Sequence, residues 1–140
     1  MLPDPTQLNH VRRSFAEAAR RLDFGLRLYA HLFRRDASLR HLFPAQLDAQ
    51  AERLMAMIAL AVNKLGDLPN LVPVLQQLGR RHVAYGVTEA QYAVVGAAFL
   101  DTLAEVLGAD FTDARREAWT AVYGLMARTM IDAAYVAEAA

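Results

Sequence analysis

Apolar residues in this chain return every three or four positions, segment after segment. Nowhere do they sustain the two-residue alternation of a half-buried strand. The clearest case is Leu71, Leu75, Leu78 and His82, at i, i+4, i+7 and i+11, a spacing that puts all four on one helix face. Ala, Leu and Arg, all good helix formers, dominate the segments, whereas Gly and Pro are sparse. The expectation is an all-α domain.

Capping and breaking signals divide the chain. Thr6 is expected to cap a first helix running to about Leu22, with Leu8, Val11, Phe15, Ala18 and Leu22 on its buried stripe. A second helix covers roughly residues 23–35, with Leu26, Tyr29 and Phe33 at spacings of three and four. Asp36 opens a short helical turn that ends near Phe43-Pro44, because proline disfavours helix in the residue before it. Asp48 caps a long segment to about Leu65, closed by Gly66. Asn70 starts the next, reaching about His82, with Gly86 at the following corner. Thr88 and Gln91 have capping-box spacing and open a helix that stops at Gly108. Thr112 caps the last, which carries Trp119, Tyr123 and Met126 towards Ala134. No repeat or linker interrupts the pattern, so six or seven helices are expected in one domain over residues 1–140.

Charge and composition exclude several classes of function. Fifteen basic residues balance fifteen acidic ones, leaving no global field to attract nucleic acid or anionic lipid. The absence of cysteine removes disulfides, cysteine-ligated zinc, iron–sulfur clusters and covalently attached c-type heme. The N-terminal residues lack the basic start and apolar run of a targeting signal. The longest unbroken apolar run, residues 54–62, is far shorter than the ~20 residues of a bilayer span. Apolar on all sides, it is expected to be sandwiched between two packed surfaces. A soluble, cytoplasmic protein without a membrane span is the expectation.

Chemistry-bearing residues are few. The histidines are His10, His31, His41 and His82, with no HExxH pair and no two at i, i+3 or i+4. No nucleophile-elbow, Walker or dinucleotide-binding signature is present. His82 alone points off a strongly apolar face. Such an imidazole is either a hydrogen-bonded core histidine or an axial metal ligand whose other nitrogen donates to a backbone carbonyl. Gln50 begins an otherwise apolar stripe of Leu54, Met57, Ile58 and Ala61, and Tyr29 sits on the stripe of its own helix. A buried phenol needs a partner. One imidazole, one phenol and one amide thus stand on apolar faces of three different helices.

The ordered set Tyr29-(x3)-Phe33, Phe43, Gln50-(x3)-Leu54 and Leu78-Gly79-Arg80-Arg81-His82 resembles a bacterial globin. Tyr92-(x2)-Val95-Gly96 and Ala118-Trp119-(x3)-Tyr123-Gly124 extend the likeness over about residues 6–134. It is similar to the globin domain of flavohemoglobins and to single-domain, neuroglobin-like bacterial hemoglobins. The resemblance implies a globin fold enclosing non-covalent heme b, with His82 as proximal iron ligand. It implies that Phe43 stacks on the porphyrin, Leu54 crowds the distal face, and Tyr29 and Gln50 face the sixth coordination position. Leu78, Val87, Tyr92 and Val95 would complete the heme contacts. Arg53 would pair with a heme propionate or else remain a solvated surface charge.

Departures from the flavohemoglobin pattern bear on function. The sequence ends at Ala140, with no flavin or nicotinamide segment. Tyr92 matches the proximal tyrosine of that family, but Ala134 stands where its glutamate would be, and Asp132 and Glu138 are out of register. This argues against a strongly electron-donating histidine. Ala37 replaces a proline usual at the short corner, a detail of stability. The expected function is binding of dioxygen, NO and CO for oxygen transport or NO detoxification. The alternatives are a nitric oxide dioxygenase, with Tyr29 and Gln50 as its catalytic residues and an external reductase as partner, and a gas-sensing or heme-free interaction domain.

Overall fold

The computed structural model describes residues 2–84 and 86–136. Six α-helices and no strands occur among them: α1 (Pro5–Ala18), α2 (Phe24–Arg35), α3 (Asp48–Asn63), α4 (Leu68–Ala84), α5 (Glu89–Leu107) and α6 (Asp113–Ile131). A 3-10 helix, Ala37–Leu42, forms the α2–α3 corner, and α6 runs on into a π-helical turn, Asp132–Val136.

Asp4, not Thr6, caps α1. Its carboxylate accepts from the Gln7 N–H at 2.8 Å, and the Gln7 side chain accepts from the Asp4 N–H at 3.1 Å. Pro5 explains the earlier start, because its fixed φ and missing N–H suit the first helical position. The helix also stops four residues short of Leu22. Backbone bonds from Arg21 to Ala18 and from Phe24 to Arg21 turn the chain there, and Leu22 is 99% exposed rather than buried.

The buried face of α2 is Phe24, Leu28, Tyr29 and Leu32, rotated from the expected stripe. Leu26 is 38% exposed. The rotation lets α2 lie on α5, its most extensive partner, with ion pairs at the rim from Arg27 to Glu105 and from Arg35 to Asp101. At the corner, Arg40 donates to the carbonyls of Phe43, Pro44 and Ala45 at 2.9–3.2 Å and so holds Phe43 in place.

Helix α3 is not sandwiched between protein surfaces. Its main packing partners are α1 and α2, and Ala56, Ala59 and Leu60 face outward. Its second apolar face borders the interior cavity described below. Helix α4 starts at Leu68, two residues before the expected Asn70, with Asp67 accepting from the Asn70 N–H and side-chain amide. Helix α5 begins as expected, Gln91 Oε1 accepting from the Thr88 N–H at 2.9 Å, and ends at Gly108.

Residues 89–110 are long and apolar enough to cross a membrane by length and composition, with mean hydropathy 1.4. Packing accounts for that apolarity: Phe99 meets Phe24 edge-on at 5.7 Å and Trp119 at 4.9 Å. Trp119 also ties α6 to α1, its indole N–H donating to Ser14 Oγ at 2.7 Å while Ser14 donates to the His10 carbonyl. Helix α6 crosses both α1 and α4. At the α4 crossing, Gly79 lies directly against the Met130 carbonyl, where any side chain would collide. This fixes the helix that carries His82.

Candidate functional site

Helices α2 to α6 enclose an apolar cavity of about 260 Å³. Nine of the ten residues singled out in the sequence line it: Tyr29, Phe43, Gln50, Leu54, Leu78, His82, Val87, Tyr92 and Val95. The stripe Met57, Ile58 and Ala61 completes the α3 wall. Arg53 does not line it. Its guanidinium donates to Gln50 Oε1 at 2.8 Å.

The sequence reading missed several of the walls. Leu28 and Leu32 enter because α2 is rotated. Leu75, Phe99, Trp119, Tyr123, Met126 and Met130 enter from α4, α5 and α6. Their helical spacing shows which of these residues share a face, but not that the faces of three helices converge on one void.

His82 sits near the end of α4, and its Nδ1 lies 2.8 Å from the Leu78 carbonyl. A carbonyl only accepts, so Nδ1 carries the proton, and the lone pair of the neutral ring is on Nε2. The backbone thereby sets the tautomer and the ring orientation. The Tyr92 ring lies 6.2 Å away at 34°. Its hydroxyl is buried and has no hydrogen-bond partner among the described residues. Burial, and then the neighbouring Tyr135, push its pKa up to about 12. Tyr123 donates to the Tyr92 carbonyl and Tyr135 to the Val87 carbonyl, each at 2.5 Å. Burial raises the Tyr123 pKa as well.

Ala134 is fully buried on the π turn and brings no carboxylate. Asp132 is exposed and faces Arg128 at 3.6 Å. Glu138 lies outside the described residues.

On the other wall, Tyr29 packs against Phe33 and Phe43 at ring separations of 6.1 and 5.1 Å. Burial raises its pKa, while the Gln50 amide beside it and then Arg53 pull it down. The cavity therefore receives one imidazole with a fixed tautomer from α4, a phenol and an amide from α2 and α3, and apolar walls elsewhere. Among the described residues no cluster of three His, Asp or Glu side chains could hold a metal. A single nitrogen ligand in an apolar slot suits a metal already held in a flat macrocycle. The unmet Tyr92 hydroxyl likewise fits a cavity built for an occupant.

Helices packed on helices around an apolar void that receives one imidazole, a phenol and an amide define an all-α protein with an internal ligand pocket. The globin family model matches residues 26–130, and the chain belongs to the globin family, whose members bind heme and, at it, diatomic gases. It is 34% identical over 106 residues to a flavohemoprotein of Bordetella parapertussis, an alignment covering 74% of this chain and 26% of that protein. The chain thus spans about a quarter of the flavohemoprotein's length. The structure of a bacterial globin from Campylobacter jejuni superposes with a TM-score of 0.84 at 21% identity, covering 98% of this chain and all of that one. A flavohemoglobin from Malassezia yamatoensis, whose structure holds FAD and heme, superposes with a TM-score of 0.79 at 18% identity over 97% of this chain and 37% of its own.

Proposed function

We propose that this globin holds heme b non-covalently in the α2–α6 cavity and binds dioxygen, NO and CO there. The observation that carries the reading is His82, which lines the cavity with its tautomer set by the Leu78 carbonyl. Once bound, heme supplies an iron that takes diatomic gases reversibly. His82 would hold the iron from the proximal side through Nε2, its tautomer and ring orientation fixed by the Nδ1–H bond to the Leu78 carbonyl. Phe43 would stack on the porphyrin, Leu54 would crowd its distal face, and Leu78, Val87, Tyr92 and Val95 would complete the contacts. Tyr29 and Gln50 supply the polar groups that a polarised gas ligand needs in a low-dielectric space.

Likeness to flavohemoproteins supports a second reading, NO detoxification as a nitric oxide dioxygenase. It requires electrons from a reductase outside residues 1–140. Tyr29 and Gln50, by favouring retention of dioxygen, are then its catalytic residues.

Heme titration followed by visible spectra of the ferric, ferrous and carbonmonoxy forms tests the assignment. His82→Ala should lose histidine-ligated heme and regain it with added imidazole. His10→Ala, His31→Ala and His41→Ala should bind normally. An unchanged histidine-ligated spectrum in His82→Ala would overturn the proximal role, and far-ultraviolet circular dichroism separates loss of ligation from loss of fold.

A further inference from the structure

Arg53 offers only donors, so the end of the Gln50 amide that faces it must be the oxygen. This fixes the amide. Its NH2 end is turned away from Arg53, and Gln50 and Tyr29 both line the cavity. An NH2 group only donates, so where it meets the Tyr29 oxygen that oxygen accepts and the Tyr29 proton remains for a group inside the cavity.

We propose that Arg53 is a positioning residue for the gas-binding side of the cavity: by holding the Gln50 oxygen it turns the Gln50 NH2 towards Tyr29, which commits the Tyr29 O–H to the bound gas. The direction of every donor then agrees, Arg53 to Gln50, Gln50 to Tyr29 and Tyr29 into the cavity, and each bond polarises the next. Burial raises the Tyr29 pKa, and the Gln50 amide and then the positive charge of Arg53 offset part of that rise. Arg53 and Gln50 stand at i, i+3 on α3, a spacing that brings their side chains together without help from α2. The Arg53–Gln50 pair is thus assembled on one helix, and α2 brings Tyr29 to the same cavity as Gln50.

The inference rests on the heme reading for its gas-binding consequence, so the experiment has a heme-free arm and a heme-loaded arm. In the heme-free protein, Arg53→Met should raise the Tyr29 phenol pKa, followed by NMR of ring-labelled tyrosine. It should also shift the side-chain amide signals of Gln50 and speed their exchange with solvent. Arg53→Lys, which keeps a donor, should restore part of both.

In the heme-loaded protein, Arg53→Met should speed dioxygen release about 2- to 10-fold, the loss of one ordinary hydrogen bond, with carbon monoxide release nearly unchanged. Tyr29→Phe should speed it about 10- to 150-fold, as for a bond to a charged acceptor. Adding Arg53→Met to Tyr29→Phe should then do nothing more. Unchanged Gln50 signals and Tyr29 pKa in Arg53→Met overturn the proposal and leave a solvated charge. The same result with weakened heme affinity makes Arg53 a partner of the heme carboxylates instead. Failure of the heme-loaded arm alone, with the heme-free shifts present, would count against the gas-binding reading and not against the Arg53–Gln50–Tyr29 arrangement.

Discussion

Tyr92 brings a hydroxyl into the molecule that nothing among the described residues satisfies. An unmet buried donor costs about 1–3 kcal/mol. Tyr92→Phe should therefore stabilise the heme-free protein by up to that amount at pH 8, measured by urea denaturation. The pH dependence has a definite sign. The folded pKa of about 12 lies above the unfolded value of 10, so the folded state holds the proton more tightly. Titration of this group leaves stability unchanged below pH 10 and lowers it as pH rises from 10 to 12. The Phe variant should lose less stability across that window, and identical alkaline profiles would mean that folding does not raise the Tyr92 pKa. Single residues also mark how far sequence reading goes. Tyr29, Gln50 and His82 are recognisable because each is a polar group on an apolar stripe. Arg53 is not, because an i, i+3 pair on a helix surface looks the same whether or not it points towards a cavity.

At the scale of elements, α4 must be held at a set height and rotation if His82 is to face the void. Gly79 does this by letting α4 rest on the backbone of Met130. Gly79→Ala places a Cβ against that carbonyl, where neither backbone can yield cheaply. It should cost about 1–3 kcal/mol by overpacking and weaken heme binding, because His82 lies one turn away. Gly124 in α6 is the control. A Cβ there meets nothing within 4 Å, so Gly124→Ala should stabilise by about 0.5–1 kcal/mol through helix propensity alone. Thermal melts of the two variants should move in opposite directions. Element boundaries follow the same logic. Thr88–Gln91 and Thr112 cap as the sequence indicates, because those bonds are local. The rotation of α2 differs from the expected one, because it is set by where α5 lies.

The whole molecule couples cavity and stability. A ligand that binds only the folded state adds RT ln(1 + [L]/Kd), about 4 kcal/mol at ~1,000-fold excess over Kd. Heme-loaded protein should melt well above the heme-free form, and the margin should shrink in His82→Ala. Equal melting temperatures would indicate a globin scaffold that works without heme.

The sequence by itself determined the all-α class, the order of the helices and the polar residues that reach the cavity. All of these depend on contacts within a few residues: the 3.6-residue period, the caps and the breakers. Tertiary structure decided the rest. It set which side of α2 is inside, why one face of α3 borders a void, and which walls α5 and α6 supply. It also decided that Gln50 and Tyr29 line one cavity and that Tyr92 has no partner among the described residues. The physical reason is that burial and hydrogen-bond satisfaction belong to pairs of residues distant in the chain. A helical repeat fixes which residues share a face, but only packing fixes what that face meets.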